Sequence, residues 1–302
     1  MTGATGFIGS HVVRELLRRG HVVEAPIRSG ASEHRLPAGA SGLTTWPLDL
    51  SDGDAVASMF TNLRPDAVIH LAWYAEPGAY LRNVERNLGS LENSLRLLRL
   101  ASGGRSTRRV VLAGTCLESV AGAGGAHEPI YAVAKRALHD VAVRSHGDGM
   151  QVTCAHIFSV FGPWEDERRA VPSVIRGLLA GRPVDVGEGT QLRDYVHVSD
   201  VACAFATILE GDAGPTVDVC SGEPRSLREV FEEIGRATGR NDLLRPGARA
   251  TGADERFDAV GDPSPLRALG WRPALPFVQG MRETVAWWQA HDQVLTAPDS
   301  VR

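Results

Sequence analysis

The sequence predicts an α/β fold in which a doubly wound parallel sheet carries a smaller C-terminal lobe. Short apolar runs alternate with helical segments over the first half of the chain, and a glycine-rich loop opens it. The alternation becomes irregular after Pro163. Strands buried on both faces are continuous apolar runs, and helices between them cover the two faces of a parallel sheet.

Four apolar runs are predicted strands because they are short, β-branched and bounded by loop residues: 22–27, 66–72, 109–113 and 152–158. Apolar residues at helical spacing predict the helices between them: 10–19, 51–63, 88–101 and 131–145. Further helices are expected at 171–180 and 199–209, with a strand and turn up to Gly189 between them. We expect residues 1–162 to form a dinucleotide-binding domain to which 194–215 returns, and 163–302 to form mainly a substrate-binding lobe.

Composition excludes several classes of protein. The 302 residues are 43% hydrophobic and 23% charged, with a net charge of -4, as in soluble globular proteins. The four cysteines form no C-x-x-C pair, which predicts neither a zinc site nor a disulfide framework and suits a reducing cytoplasm. No apolar run is long enough for a membrane span, and the acidic balance predicts no nucleic-acid partner.

The segment 2–9 spaces its glycines G-x-x-G-x-x-G and leads directly into an amphipathic helix. Such a loop lets the backbone approach a pyrophosphate at the helix N-terminus, as in a Rossmann βαβ unit. The predicted strand at 22–27 follows at the distance that this unit requires. The cofactor-binding residues predicted here are Gly3, Thr5, Gly6, Phe7, Ile8 and Gly9.

A buried strand of about five to six residues normally precedes such a loop. Here the loop follows Met1 directly, so the central strand of the sheet is expected to be missing. One hypothesis is that the true start of translation lies upstream of Met1.

The end of the second strand usually selects the cofactor, because an acid there binds the ribose 2′-hydroxyl whereas an arginine accepts a 2′-phosphate. This strand ends at Ile27, followed by Arg28, which favours NADP(H) over NAD(H). Glu24 is the rival residue, but it lies three residues earlier, inside the strand.

Tyr131 and Lys135 stand four residues apart on a predicted helix, so their side chains share one face. Lys135 is the only lysine in a chain with 32 Lys and Arg residues. An ammonium near a phenol stabilises the phenolate and lowers its pKa toward neutral pH. Thr115, after the strand at 109–113, is the predicted third catalytic group, a hydroxyl that polarises a substrate carbonyl.

Together these motifs resemble the extended short-chain dehydrogenase/reductase family, in its nucleotide-sugar epimerase, dehydratase and ketoreductase branch. The resemblance implies that Tyr131 exchanges the hydroxyl proton, that Lys135 also holds the nicotinamide ribose, and that hydride moves between the nicotinamide and a sugar carbon. It also implies further cofactor-binding residues: Asp49, Leu50, Leu71, Ala72 and Asn87.

The second half is similar to the same branch in three segments: 161–163, 193–201 and 269–273. From this similarity, Arg193 and Arg256 are expected to bind the substrate diphosphate, a group that guanidinium binds bidentately. Ser159 stands where the family has an asparagine that contacts the sugar. Family members are commonly dimers through helices that include the Tyr-Lys helix, which makes a homodimer an expectation here.

Departures from the family pattern narrow the range of reactions that the chain can be expected to catalyse. Dehydratases place an acid pair or a glutamate within two residues after the catalytic hydroxyl, where this chain has Cys116 and Leu117. Glu118 is the third residue after Thr115, one residue beyond that range. Epimerases that act on carbons 3 and 5 need a histidine where this chain has Ala170, so we expect Cys116 to be structural.

We therefore predict an NADPH-dependent reductase of a nucleotide-linked 4-keto-6-deoxy sugar, with Tyr131 as general acid. Two alternatives stay open: an NAD-dependent nucleotide-sugar 4-epimerase with the same three residues, and a non-catalytic dinucleotide-binding sensor. No metal is expected in any of the three.

Overall fold

The computed structural model of the chain describes residues 1–104, 106–120, 128–146, 149–250, 252 and 257–291. The strands of the first half are β1 (Val23–Ile27), β2 (Leu43–Pro47), β3 (Ala67–His70), β4 (Arg109–Thr115) and β5 (Gln151–Ile157). Its helices are α1 (Phe7–Arg18), α2 (Gly53–Leu63), α3 (Val84–Gly103), α4 (Leu117–Val120) and α5 (Ile130–Arg144).

In the second half the strands are β6 (Ser159–Phe161), β7 (Val184–Val186), β8 (Leu192–His197), β9 (Thr216–Val219), β10 (Pro224–Ser226) and β11 (Leu244–Pro246). Its helices are α6 (Ala170–Leu179), α7 (Val198–Glu210), α8 (Leu227–Thr238), α9 (Ser264–Ala268) and α10 (Phe277–His291), with a 3-10 turn at Asn241–Leu243. No described helix is long and apolar enough to cross a membrane.

The parallel sheet confirms the predicted fold class. Strands β3, β4, β5 and β9 lie side by side in parallel, and β1 pairs in parallel with β2. Met1 and Thr2 connect the β1–β2 pair to the four-stranded group. The Met1 amine donates to the carbonyl of Glu24 at 2.6 Å, and the Thr2 amide donates to that of Ile69 at 2.9 Å.

A chain of buried hydrogen bonds begins at Thr2. Its hydroxyl lies 2.7 Å from Nδ1 of His70, and Nε2 of the same ring lies 2.8 Å from the Ser94 hydroxyl on α3. Burial lowers the pKa of His70 to about 3, so this imidazole is neutral at physiological pH. The start of the glycine loop is thus fixed to β3 and to α3.

Strand β2 is an element that the sequence analysis did not predict. Its residues are half-buried or exposed, and its last residue, Pro47, is exposed. An outer strand of this kind tolerates polar residues and proline, so it lacks the continuous apolar run that marked the inner strands.

Separate apolar cores cover the sheet and fill the second lobe. On one face α1 and α7 pack together, with Val12, Val13 and Phe205 fully buried. On the other face α3 and α5 pack over β4 and β5. In the lobe, α6, α8 and α10 enclose a core around Ile175 and Ile234. A cleft lies between the carboxyl ends of the sheet strands and this lobe.

Candidate active site

The cleft has a volume of about 1680 Å³ and is lined by the glycine loop, the ends of the sheet strands and residues of the second lobe. Ligands of doubly wound sheets bind at this edge, outside the carboxyl ends of the strands. Most predicted site residues line it: Gly3, Thr5, Gly6, Phe7, Ile8, Gly9, Arg28, Asp49, Leu50, Leu71, Ala72, Thr115, Tyr131, Lys135, Ser159 and Arg193.

The glycine loop is compact enough to exclude side chains at two positions. Gly3 has a φ of +74°, and a Cβ there would lie 2.8 Å from the amide nitrogen of Ala72. A Cβ on Gly9 would lie 2.0 Å from the carbonyl oxygen of Gly3. Helix α1 starts at Phe7 inside the cleft, with no side chain capping its first turn. Its exposed amides suit a pyrophosphate, so the loop fits a dinucleotide.

Two arginines after β1 line the cleft, and the first of them lies at the end of the cleft next to this strand. Arg28 is exposed there, and Arg35, which the sequence analysis missed, is half-buried. The buried Nε of Arg35 has no hydrogen-bond partner among the described residues. The rival residue Glu24 does not line the cleft, and its carboxylate accepts from the Trp46 indole at 3.3 Å.

Asp49 also lies at this end, and its carboxylate accepts from the amide and the hydroxyl of Ser51 at 2.9 and 2.7 Å. These hydrogen bonds hold the pKa of Asp49 below its ordinary value. Its neighbour Leu50 lies between this end and helix α3, where its carbonyl accepts from Arg96 at 3.0 Å.

Asn87 is not brought to the cleft. It is fully buried on α3, where its amide group donates to the carbonyls of Tyr80 and Asn83 and accepts from the Trp73 indole at 2.9 Å. The structure therefore places Asn87 behind Trp73, a cleft residue that directly follows Leu71 and Ala72 and that the sequence analysis did not single out.

Thr115 and Tyr131 form the pair of hydroxyls at the centre of the cleft. Thr115 ends β4, Tyr131 lies in the first turn of α5, and both side chains line the cleft. The Tyr131 ring packs edge-on against Tyr80, with 4.9 Å between centroids. Burial raises the pKa of Tyr131 above its ordinary value, and the nearby Thr115 side chain opposes this only in part. The phenol therefore carries its proton at neutral pH.

Lys135 lies one turn further along α5 and is buried. Its ammonium donates to the carbonyl of Ala113 at 2.6 Å and lies 4.0 Å from the centroid of the Trp73 ring. The ammonium is 5.9 Å from the Tyr131 ring centroid, and the raised pKa of Tyr131 runs against the expected lowering by Lys135. Burial lowers the pKa of Lys135 itself to about 8.

The residues after Thr115 carry no acid or base into the cleft. Burial raises the pKa of the Cys116 thiol to about 11, so it stays protonated. Glu118 points behind Thr115, where its Oε1 accepts from the Thr115 amide at 2.7 Å.

The substrate half of the cleft contains Ser159 on β6 and Arg193 on β8. Arg193 is largely buried, stacks on the Phe257 ring at 3.9 Å and donates to the Leu192 carbonyl at 3.0 Å. Arg256, its predicted partner, lies outside the described residues. Glu165, which the sequence analysis missed, lines the same half, and burial raises the pKa of its carboxyl.

A glycine loop and a Thr-Tyr-Lys set at the edge of a doubly wound sheet define a short-chain dehydrogenase/reductase. Residues 1–220 match the NAD dependent epimerase/dehydratase family. The chain belongs to this family and is therefore an NAD(P)-dependent enzyme, which goes against the non-catalytic sensor.

Relatives of three activities are similar over nearly the whole chain. A dTDP-glucose 4,6-dehydratase of Xanthomonas campestris pv. campestris is 30% identical, over 95% of this chain and 92% of its own length. A dTDP-4-dehydro-6-deoxy-D-allose reductase of a Streptomyces species is 28% identical, over 96% of each. The structure of Thermus thermophilus UDP-glucose 4-epimerase with NAD has a TM-score of 0.80 and 27% identity, over 96% of this chain and 98% of that one.

Proposed function

We propose that this enzyme uses NADPH to reduce a nucleotide-linked 4-keto-6-deoxy sugar. The observation that carries the proposal is that Thr115 and Tyr131 line the same cleft and that burial keeps the phenol protonated. A protonated phenol is the acid that a reduction requires, because the carbonyl oxygen gains a proton as hydride adds to its carbon.

In this reaction the Thr115 hydroxyl donates to the carbonyl oxygen and polarises it. Tyr131 transfers its phenolic proton to the same oxygen. Lys135 stabilises the resulting phenolate and donates to the ribose of the cofactor. When bound, the reduced nicotinamide supplies the hydride. Dehydration is disfavoured because Cys116 stays a neutral thiol, Leu117 is apolar and Glu118 points away from the cleft.

The preference for NADPH rests on Arg28 and Arg35. Both line the cleft, Arg28 directly after β1, and no acid of β1 lines it. An adenosine 2′-phosphate at the end of β1 would pair with the guanidinium of Arg28 and be favoured by the positive charge of Arg35, whereas the ribose of NADH carries no such anion.

Replacing Arg28 and Arg35 by alanine tests this preference. We expect the Kd of NADPH to rise by about tenfold or more, the effect of losing one charge-assisted hydrogen bond, while that of NADH changes little. Isothermal titration with both cofactors measures this. An equal loss for the two cofactors would show that the arginines do not select the phosphate.

The proposed substrate-binding groups are Arg193 for the diphosphate and Ser159 for the sugar, with Arg256 as a further diphosphate ligand. Arg193 is held by its stacking on Phe257, which presents a fixed cation at the lobe side of the cleft. The similar Streptomyces reductase supports a 4-keto-6-deoxy sugar as the class of substrate.

A 4-epimerase is the second candidate, because the similar Thermus enzyme is a UDP-glucose 4-epimerase solved with NAD. An epimerase would use Thr115, Tyr131 and Lys135 in both directions and would regenerate its cofactor in every turnover.

A panel of nucleotide-linked sugars separates the two reactions. The reductase oxidises NADPH in step with a 4-keto-6-deoxy substrate, which absorbance follows, and yields a 4-hydroxy sugar. Cofactor that co-purifies as NAD, together with interconversion of 4-hydroxy epimers and no net NADPH oxidation, would establish the epimerase instead.

We also propose that the enzyme forms a homodimer through α3 and α5. These helices pack side by side, and each exposes large apolar side chains: Val84 and Leu88 on α3, Val133 and Val141 on α5. Isolated exposed apolar residues are ordinary, but four on two adjacent helices suit the same face of a second copy.

A further inference from the structure

Behind Thr115, on the side away from the cleft opening, three side chains from separate elements converge. Glu118 lies on α4, His139 on α5 and His156 on β5. The Glu118 side chain is 2% exposed and the His156 side chain is 5% exposed. One nitrogen of each ring and Oε2 of the glutamate form a compact group.

The three atoms form an almost equilateral triangle. Oε2 of Glu118 lies 3.3 Å from Nδ1 of His139 and 3.4 Å from Nε2 of His156, and the two nitrogens are 3.4 Å apart. Charge-assisted hydrogen bonds between these groups would be shorter, at about 2.7–2.9 Å. Moreover, Oε2 is buried and makes no hydrogen bond of normal geometry with the described residues.

These distances are those expected around a tetrahedral ion. With metal–ligand distances of about 2.0–2.2 Å, two ligands of a tetrahedral zinc ion stand about 3.3–3.6 Å apart. The triangle therefore has the dimensions of one face of such a tetrahedron, and its donors, two imidazoles and a carboxylate, are common zinc ligands.

The remaining polar atom of each of the three side chains faces a second group. Nε2 of His139 lies 2.9 Å from the Thr216 hydroxyl, and Nδ1 of His156 lies 3.3 Å from the Asp218 carboxylate. Oε1 of Glu118 accepts from the Thr115 amide. Metal-binding histidines are oriented by such partners, which leave the other nitrogen with its lone pair toward the ion.

We propose that Glu118, His139 and His156 bind one divalent transition-metal ion, for which Zn²⁺ fits best, with solvent in the fourth position. This site does not depend on the proposed reaction, and it departs from the expectation that no metal binds. The cysteine spacing could not reveal it, because its ligands are not cysteines and come from positions far apart in the chain.

The proposed ion would join the elements that hold the catalytic groups. Glu118 contacts the backbone of Thr115, and His139 stands one turn beyond Lys135 and two turns beyond Tyr131 on α5. Binding would link α4, α5 and β5, so its main effect is on stability and on the position of Thr115 relative to Tyr131.

The metal content of the untagged enzyme tests the proposal directly. We expect about one zinc per chain after expression with Zn²⁺ and dialysis, measured by plasma mass spectrometry. Adding Zn²⁺ to chelator-treated enzyme should raise its Tm, whereas Mg²⁺, which prefers oxygen ligands, should not. Co²⁺ should give the visible absorption of a tetrahedral centre. An enzyme without zinc whose Tm responds equally to both ions would overturn the proposal.

Substitutions of the proposed ligands test whether the ion binds at this cluster. Glu118→Gln keeps an acceptor for the Thr115 amide, and His156→Asn removes one ring nitrogen; both should lose zinc and the Zn²⁺-dependent rise in Tm. The matched control is His21→Asn, because His21 is also paired with a carboxylate, that of Glu210 at 2.9 Å, but at the surface. Zinc retained at the wild-type level in both cluster variants would place the ion elsewhere. Because none of these readouts is turnover, they are independent of whether the reductase proposal holds.

Discussion

At the residue scale, the chemistry depends on Tyr131 and Lys135. Burial keeps the phenol of Tyr131 protonated, and burial makes the ammonium of Lys135 easier to deprotonate. Tyr131 and Lys135 share one face of α5, but their pKa values shift in opposite directions because each charged form is desolvated. At neutral pH both groups hold a proton, which suits the donation of a proton to a carbonyl.

The Tyr131→Phe variant should lose the acid without losing the cofactor site. We expect kcat to fall by about 10²–10⁴-fold, the usual contribution of a positioned acid or base, while the Kd of NADPH changes little. Steady-state kinetics and fluorescence titration measure the two effects. Turnover at the wild-type rate would remove the phenol from the mechanism.

The pH dependence should follow Lys135. Its ammonium is present below its pKa of about 8 and is lost as the pH rises through that value, so kcat/KM for reduction should fall on the alkaline side. In Lys135→Met the residual rate should be low, and kcat/KM should not show this decrease on the alkaline side. A wild-type rate that increases with pH through the same range would contradict the assignment.

At the element scale, the glycine loop and α1 act as one unit because their backbones are in close contact. The spacing of three glycines was enough to predict this unit, since few other residue types permit such an approach. The spacing of Tyr131 and Lys135 similarly predicted a shared helix face, which α5 provides.

Other parts of the site could not be predicted from local patterns. Arg35 lies in a loop without a recognisable motif, and Asn87 contacts the cleft through its hydrogen bonds to Trp73 and Tyr80. Glu118 and His156 meet because β4 and β5 pair in register, a contact between segments that no local spacing encodes. Strand β2 was missed because a half-exposed outer strand has no apolar run.

The Gly9→Ala variant tests the contact between loop and helix. The added Cβ would lie 2.0 Å from the Gly3 carbonyl oxygen, so the two backbones must separate. We expect a destabilisation of about 1–3 kcal/mol and weaker NADPH binding, measured by urea unfolding and titration.

The matched control is Gly103→Ala at the end of α3, where an added Cβ meets nothing within 4 Å. It should leave NADPH binding unchanged and alter stability by at most about 1 kcal/mol, in the favourable direction. If Gly9→Ala behaved like this control, the loop would not need its close packing.

At the scale of the whole molecule, the face formed by α3 and α5 should decide the oligomeric state. Val133→Glu combined with Val141→Glu places two charges on this face, and light scattering after gel filtration should then report a monomer instead of a dimer. The control is Val22→Glu, because Val22 is 76% exposed on another part of the surface. A wild-type monomer, or a dimer that survives the double substitution, would rule out this interface.

The buried hydrogen bonds of Thr2, His70 and Ser94 have a fixed direction. Ser94 donates its single hydroxyl proton to the Ser90 carbonyl at 2.6 Å, so its oxygen must accept from Nε2 of His70. Nδ1 then carries the lone pair and accepts from Thr2, whose oxygen accepts from the Ala72 amide at 3.4 Å. Only one tautomer of His70 satisfies this order. A ligand that turns the Thr2 hydroxyl away therefore leaves Nδ1 of His70 without its donor, while Nε2 still donates to Ser94 on α3.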